Sequence, residues 1–230
     1  MSADLGRLLV DGGPVLLDFD GPVRSVFSGY PAPQIAAELV DILRRRGVEL
    51  PANLVSEPDP LEVLRWTGAT GDQEATKSVE EALCVAERRA VSTAEPTPYA
   101  REVIVAARQA GSPVAVVSNN SAGAVNAYLT AHRLSGHVAP VIGRAYAEPD
   151  RMKPNPEPIL RAVHALGSAP PNCVLVGDSL SDIEGARLAG VRVIGYANRP
   201  WKVEAFREAG ADELITSMRG IADALLERLA

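Results

Sequence analysis

Short apolar runs that end in small or polar residues constrain the fold of this chain more than any other feature. They are Pro14–Phe19, Pro113–Val117, Val138–Ile142, Cys173–Val176 and Val191–Gly195. Such runs are typical of strands buried on both faces of a parallel sheet. Helical patterns lie between and after them, at Tyr99–Ala110, Ala122–His132, Pro156–Leu166, Ile183–Ala189, Trp201–Ala209 and Met218–Leu229. This alternation predicts an α/β fold with a doubly wound parallel sheet.

The alternation breaks between the first and second runs, where helical spacing continues without a strand. Apolar residues recur there with helical periodicity in three sets, namely Ile35, Leu39, Ile42 and Leu43, then Leu61, Leu64 and Trp66, then Val79, Ala82, Leu83, Ala86 and Ala90. A crossover between parallel strands needs only about a dozen residues. We therefore predict a helical cap inserted at residues 22–95, with Glu95–Pro98 as its return linker, and a core of residues 1–21 and 96–230.

The charge of the chain argues against a nucleic-acid-binding or anionic-membrane surface. The 230 residues carry a formal net charge of -6, whereas such surfaces need clustered basic side chains. The dense basic run from Arg44 to Arg46 ends a helical pattern, where positive charge complements a helix C-terminus. An anionic substrate would therefore need local positive charge, such as that of a metal ion.

Neither the N-terminal residues, the apolar stretches nor the cysteines indicate a secreted, membrane-spanning, zinc-binding or redox protein. Residues 1–10 lack the basic start and long apolar run of a signal peptide, and no stretch reaches the roughly 18 apolar residues that a membrane span needs. A cytoplasmic location is the resulting expectation. Cys84 and Cys173 lack the spacing of a zinc site or redox motif, so both are predicted to be small buried apolar side chains.

Polar residues follow the apolar runs at the points where ligands bind in open α/β sheets. They are Asp18, Asp20 and Gly21 at the first run, Ser118, Asn119 and Asn120 at the second, Gly177, Asp178, Ser179 and Asp182 at the fourth, and Lys153 just before a helix. Carboxylates gathered at one edge repel one another unless a cation lies among them, and an all-oxygen set suits Mg²⁺. A lysine, a hydroxyl and backbone amides would neutralise and orient a phosphoryl group. The residues therefore favour phosphoryl transfer.

The chain resembles the haloacid dehalogenase-like superfamily, in particular its phosphatases with a small helical cap, such as phosphoglycolate phosphatases. The four motifs of that superfamily match Asp18-Phe19-Asp20-Gly21, Ser118, Lys153 and Gly177-Asp178-Ser179-Leu180-Ser181-Asp182 in order. Each motif alone is a weak signal, but four in order across nearly the whole chain are specific. The resemblance implies a Rossmann-like core and Mg²⁺-dependent hydrolysis of a small phosphorylated metabolite.

The resemblance also implies roles for the matched carboxylates. Asp18 is expected to be the nucleophile that becomes phosphorylated, and also a metal ligand. Asp20 is expected to be the general acid and base, with its carbonyl on the metal. Asp178 is expected to be the second metal-binding carboxylate, and Asp182 is expected to support the metal shell.

The remaining matched residues are implied to bind the phosphate. They are Gly21, Ser118, the amide of Asn119, and Lys153, which is also implied in catalysis. Pro22 departs from the superfamily, in which many members have threonine at this position. The change removes a hydroxyl and an amide donor, so the shape of the loop that enters the cap stays open.

Simpler structural roles compete with several of these assignments. Asp20-Gly21-Pro22 has the composition of a tight turn, Asp182 that of a helix cap, and Lys153 that of a solvated charge. Because these residues occur together in four motifs that follow the order of the superfamily, we favour a functional site over separate structural roles.

The substrate has no decodable motif, because it would contact the predicted cap. Arg24, Arg65, Trp66 and Lys77 are candidate contacts, and a surface or cap-core role is the alternative for each. The histidines lie away from the strand ends and are expected to be structural or solvated; they are His132, His137 and His164.

Other functions share parts of this pattern. A haloacid dehalogenase would also use Asp18 as its nucleophile, but it needs no metal and would leave Asp20 and Asp178 without a purpose. A phosphomutase uses the same motifs and stays open. A non-catalytic metabolite-binding member also stays open, although such a protein is expected to lose Asp18 or Asp20. A dinucleotide oxidoreductase is disfavoured, because no glycine-rich phosphate loop follows the first run.

Overall fold

The computed structural model describes residues 3–10, 13–24 and 30–229, which form a six-stranded parallel sheet with helices on both faces. The strands are β1 Val15–Leu17, β2 Val114–Val117, β3 Val141–Ile142, β4 Val174–Gly177, β5 Arg192–Tyr196 and β6 Glu213–Ile215, in the order β3-β2-β1-β4-β5-β6. Neighbouring strands pair in parallel throughout this order. The predicted doubly wound α/β fold is confirmed, and β6 is an edge strand that the apolar runs did not include.

Helices precede, connect and follow the strands. They are α1 Ala3–Val10, α2 Ala32–Arg45, α3 Ala52–Val55, α4 Pro60–Ala69, α5 Gln73–Val91, α6 Ala100–Gln109, α7 Ala122–Ala131, α8 Glu157–Ala165, α9 Leu180–Ala189, α10 Lys202–Glu208 and α11 Arg219–Glu227. Among the described residues, no helix is both long enough and apolar enough to cross a membrane.

The strands are buried on both faces, which explains why they are continuous apolar runs. Successive side chains of a strand point to opposite faces of the sheet. Val15 and Leu17 therefore join the apolar core that includes residues of α2, α5, α6, α7 and α11. Leu16, between them, joins a second core with residues of α8, α9 and α10. The sheet is thus enclosed between two helical layers, and its polar strand ends provide the place for a site.

The region predicted as a helical insertion contains α2, α3, α4 and α5, and no strand lies between β1 and α5 among the described residues. Aspartates begin two of these helices: Asp59 accepts a hydrogen bond from Leu61 N at the start of α4, and Asp72 accepts from Glu74 N and Ala75 N at the start of α5. Residues 25–29 of the predicted insertion, and residues 1–2, 11–12 and 230 of the predicted core, lie outside the described residues.

The strand order places a ligand-binding crevice beside β1. The chain leaves β1 towards β2 and β3 on one side and, later, towards β4, β5 and β6 on the other. Connections on the two sides run over opposite faces, so a crevice opens at the carboxyl end of β1. Asp18 follows β1, Ser118 follows β2 and Asp178 follows β4, and all three therefore meet at this crevice.

Candidate active site

A cavity of about 500 Å³ lies at the carboxyl end of β1. Most of the residues that the sequence predicted for the site line it, whereas Gly21 and Gly177 do not. The insertion closes one side through the start of α4. The lining residues are Asp18, Asp20, Asp59, Leu61, Glu62, Arg65, Ser118, Asn119, Asn120, Lys153, Pro154, Asp178, Ser179, Ser181 and Asp182.

Lys153 is the central cation of this cavity. Its side chain is buried, and Nζ donates to Asp18 Oδ1 at 2.8 Å, to Asp182 Oδ1 at 2.5 Å and to the Val117 carbonyl at 2.8 Å. Burial alone would lower the pKa of Lys153, but the carboxylates of Asp18 and Asp182 raise it above its ordinary value. Lys153 is therefore a fixed ammonium beside Asp18, and the solvated-charge alternative for it is wrong.

Asp182 joins the cavity to the start of α9. Its Oδ2 accepts from Ser179 Oγ at 2.7 Å and from the backbone N–H groups of Asp178 and Ser179 at 3.1 Å, while Ser179 Oγ accepts in return from Asp182 N. This is a capping box at a helix N-terminus. Because its other oxygen holds Lys153, Asp182 acts both as a helix cap and as an anchor for the buried lysine.

Three carboxylates form a cluster that could hold a cation. One oxygen each from Asp18, Asp178 and Asp182 lies within 4.8 Å of the others. Burial raises the pKa of Asp18 well above its ordinary value, Asp182 and Asp178 raise it further, and Lys153 opposes them. Burial also raises the pKa of Asp178, against the effect of Lys202. A hard divalent cation would stabilise the ionised forms, and the donors are all oxygens. The residues therefore fit a Mg²⁺ ion.

Asp20 lines the cavity but stands apart from this cluster. It is half-buried, and its carboxylate is not one of the three that converge. It lies in a tight turn in which Arg24 N donates to the Phe19 carbonyl and Gly21 N donates to the Arg24 carbonyl. Pro22 lies within this turn, whereas residues 25–29 of the loop that leads into the insertion lie outside the described residues.

Gly21 packs against the proposed metal-binding carboxylate. Its φ is +96°, and a Cβ atom placed there would lie 2.2 Å from Asp178 Cγ. Both the left-handed backbone and the close approach therefore require glycine at this position. Gly21 thus sets how near the turn can come to Asp178.

Gly21→Ala is expected to reduce both stability and activity, because it adds backbone strain of about 1–3 kcal/mol and displaces the Asp178 carboxylate. Gly47→Ala is the matched control, since Gly47 also has a positive φ of +75° but no atom within 4 Å of an added Cβ. We expect Gly47→Ala to lose stability in thermal unfolding while its turnover is retained. Equal turnover in the two variants at a temperature where both are folded would contradict a role for the Gly21 contact.

The loop after β2 presents Ser118 and holds the backbone of Lys153. Ser118 is buried, and its Oγ accepts from Asn120 N at 3.0 Å. The Asn119 side chain pairs with Lys153 at both its backbone groups, because Oδ1 accepts from Lys153 N at 2.8 Å and Nδ2 donates to the Lys153 carbonyl at 3.1 Å. The sequence predicted the amide of Asn119 as a phosphate contact, whereas this structural use of its side chain was not foreseen.

Two residues that the sequence did not single out hold Asp178. Lys202 Nζ donates to Asp178 Oδ2 at 2.7 Å and to the Asp178 carbonyl at 2.6 Å, and Asn198 Nδ2 donates to the same Oδ2 at 3.1 Å. Both follow β5, so the rule that ligands lie beyond strand ends would have pointed to this segment. The apolar run that predicted β5 is followed directly by Tyr196 and Ala197. No charged or amide side chain therefore marked the end of this strand as a ligand-binding position.

The candidate substrate contacts fall into different environments. Arg65 lines the cavity and donates to the Lys153 carbonyl at 2.6 Å, with Glu62 at 3.1 Å from its Nε. Arg24 is fully buried, with its guanidinium 5.5 Å and 5.3 Å from the ring centres of Phe19 and Tyr128. Arg24 does not line the cavity, and neither do the other two candidates: Trp66 packs against the apolar core, and Lys77 pairs with Glu74 on the surface. His132 stacks on Tyr128 at 4.0 Å, in a structural setting.

The chain matches a family model along most of its length. The model, described as haloacid dehalogenase-like hydrolase, matches residues 15–190. A phosphoglycolate phosphatase from Caulobacter vibrioides is 28% identical over 232 residues, which cover 98% of this chain and 90% of that relative. Pyrophosphatase PpaX from Halalkalibacterium halodurans is 38% identical over 76 residues, but this match covers 32% of this chain and only 34% of that relative.

Solved structures share the fold. A provisionally named β-phosphoglucomutase from Bacteroides vulgatus has a TM-score of 0.68 at 19% identity, with 100% of this chain and 99% of that chain covered. A hydrolase from Pseudomonas syringae has a TM-score of 0.67 at 18% identity, with 93% and 98% covered. These likenesses concern the fold alone, whereas the family model spans most of the chain and includes the residues of the crevice. The chain therefore belongs to the haloacid dehalogenase-like hydrolases.

Proposed function

We propose that this chain is a Mg²⁺-dependent phosphatase that hydrolyses a small phosphorylated metabolite through a phosphoryl-aspartate on Asp18. The observation that carries the proposal is the ion pair between Asp18 and Lys153. The two side chains are buried together at the crevice beside β1, and Lys153 Nζ lies 2.8 Å from Asp18 Oδ1. A carboxylate beside a fixed ammonium can attack an anionic phosphorus centre, because the ammonium offsets the charge that both bring. The phosphatase names of several relatives support the same reaction.

Asp18 and Asp178 would hold the Mg²⁺ ion through their carboxylates, and Asp20 would contribute its carbonyl. When bound, the ion would neutralise charge on the carboxylates and the phosphate. Asp182 would act indirectly, since its two oxygens already accept from Lys153 and from the start of α9. Lys202 and Asn198 would orient Asp178 by occupying its Oδ2.

The protein groups then divide the chemical work. Asp18 attacks phosphorus, while Ser118, the amide of Asn119 and Lys153 bind the phosphoryl oxygens. Asp20 gives a proton to the departing oxygen and later removes one from the water that attacks phospho-Asp18. Its position on the cavity wall supports this role, because a substrate bound in the cavity could come within reach of its side chain.

The helical insertion is proposed to be a cap over this chemistry, formed by residues 22–95 on a core of residues 1–21 and 96–230. Its two ends are adjacent, since Arg24 pairs with Pro96. Asp59, Leu61, Glu62 and Arg65 contribute its side of the cavity and would meet the leaving group. The volume of about 500 Å³ suits a small metabolite. A cytoplasmic location stays a prediction.

Release of inorganic phosphate with Mg²⁺ present tests the proposed function. The substrates should include phosphoglycolate, sugar phosphates, pyrophosphate and p-nitrophenyl phosphate, with chloroacetate to detect dehalogenation and glucose 1-phosphate to detect isomerisation. We expect phosphate release from at least one phosphomonoester, without isomer or chloride formation. Isomer formation in place of phosphate release would identify a mutase. Chloride release without phosphate release would identify a dehalogenase, and either result would overturn the proposal.

A further inference from the structure

A buried ion network joins the insertion to the loops of the candidate site. Arg144 lies two residues after β3, and its side chain is fully buried. Its Nη2 donates to Glu80 Oε1 at 2.7 Å and its Nη1 to Glu87 Oε1 at 2.7 Å; both glutamates lie on α5 and are buried. These three residues belong to none of the motifs described above, and the proposed chemistry does not use them.

Stability alone does not account for such a network. Two carboxylates and one guanidinium carry an uncompensated negative charge, and the desolvation of buried ions commonly offsets the attraction between them. The excess charge is met by the loop after β2, because Glu87 accepts from Ser121 N at 2.9 Å and from Asn120 Nδ2 at 3.2 Å. Ser121 is the N-cap of α7, where a carboxylate is favoured. The network is therefore completed by the loop that presents Ser118.

The network also reaches Lys153 through a continuous series of hydrogen bonds. Arg144 Nη1 donates to the Asn119 carbonyl at 2.7 Å. The Asn119 side chain in turn holds the backbone N–H and carbonyl of Lys153, whose Nζ lies 2.8 Å from Asp18 Oδ1. A shift of Arg144 would thus reach Asp18 through two intermediates, Asn119 and Lys153.

We propose that Arg144, held by Glu80 and Glu87, is a positioning residue that fixes the phosphate-binding loop and Lys153 against the insertion. This inference rests on the proposed function and adds a role that no motif of the chain contains. Arg65 of α4 contacts the same segment directly, by donating to the Lys153 carbonyl at 2.6 Å. The insertion therefore shapes the phosphate site itself as well as the leaving-group side.

Arg144→Met tests the inference against the matched control Arg228→Met. Arg228 also fixes backbone carbonyls, those of Leu9 and Ala110, but Ala110 precedes β2 and so lies at the end of the sheet opposite the site. Each variant is compared with the wild type by thermal unfolding, by kcat and KM for the best phosphomonoester, and by competitive inhibition with inorganic phosphate in the presence of Mg²⁺. All kinetics are measured at a temperature where circular dichroism shows the folded state.

We expect Arg144→Met to lower kcat/KM by about a hundredfold, because a small misplacement of catalytic groups has effects of this size. Inorganic phosphate should inhibit it about tenfold more weakly, the equivalent of one lost charge-assisted hydrogen bond. Arg144→Lys should recover only part of the activity, since an ammonium cannot make the forked contacts of a guanidinium. Arg228→Met should lose stability with kinetics and phosphate inhibition unchanged.

The triple variant Arg144→Met/Glu80→Gln/Glu87→Gln keeps the test decisive if Arg144→Met leaves too much buried negative charge to fold. It removes all three formal charges, and the same kinetic losses are expected. Wild-type phosphate inhibition and kcat/KM in a folded Arg144 variant would overturn the inference. An inactive wild type would instead contradict the proposed function, and phosphate binding to the wild type and the variants, measured by calorimetry, would then test the positioning role separately.

Discussion

Asp18→Asn is expected to abolish turnover while leaving the fold intact. The amide is isosteric with the carboxylate but cannot supply the attacking oxygen, and it removes the partner that Lys153 Nζ contacts at 2.8 Å. Turnover should fall below about a thousandth of the wild-type value, the scale on which loss of a catalytic nucleophile is measured. Phosphate release from the best substrate measures the effect, and circular dichroism checks the fold.

Asp41→Asn is the control for this substitution, because Asp41 is an exposed aspartate of α2 that pairs only with its neighbour Arg44 among the contacts of the described residues. It should retain full activity. Turnover of Asp18→Asn well above the stated limit would show that water attacks phosphorus directly, with Asp18 serving only as a ligand.

Removal of divalent cations is expected to have an effect of similar size. The Asp18, Asp178 and Asp182 oxygens lie within 4.8 Å of one another, and burial raises the pKa of both Asp18 and Asp178. Without a cation, the ionised nucleophile is disfavoured and the phosphate meets uncompensated negative charge. Activity should therefore vanish in excess chelator and return when Mg²⁺ is added.

Asp178→Asn provides an independent check on the same site. It should raise the Mg²⁺ concentration that gives half-maximal activity, because one ligand charge is lost. Full turnover in excess chelator, or an unchanged Mg²⁺ requirement in Asp178→Asn, would remove this cluster from the mechanism.

The parts of the fold that could be predicted are those with a local sequence signal. β1, β2, β4 and β5 are buried on both faces, so each is a continuous apolar run that the chain order turns into a parallel sheet. β6 lacked this signal because it is a three-residue edge strand that begins with the half-buried Glu213. α3 has only four residues, too few to produce a helical period.

The candidate site also contains residues with a local sequence signal and residues without one. Asp18, Ser118 and Asp178 follow strands, so topology alone brings them to one crevice. Lys153 lies in an irregular segment after β3, so no strand end placed it; its position just before a helix suggested it, and the resemblance to a known superfamily gave it a phosphate-binding role.

The Arg144 network could not be predicted from local patterns, because its partners Glu80 and Glu87 are distant in the sequence. One signal was present in α5. Glu80 and Glu87 are two helical turns apart and share a face with Leu83, which is buried. Two glutamates on an apolar helix face indicate a buried cation partner.

A phosphoryl group on Asp18 is the central claim, and trapping that group tests it most directly. Asp20→Asn removes the proposed base for the second step, while p-nitrophenyl phosphate needs no proton from Asp20 in the first, because its leaving group departs readily as an anion. Phospho-Asp18 should therefore accumulate in this variant. Rapid acid quench followed by intact-mass measurement and peptide mapping would locate it, with Asp18→Asn/Asp20→Asn as the control. We predict one added phosphoryl group, mapped to Asp18 and absent from the control; an unmodified Asp20→Asn enzyme that still releases nitrophenol in a burst, or a phosphoryl group on another residue, would contradict the account.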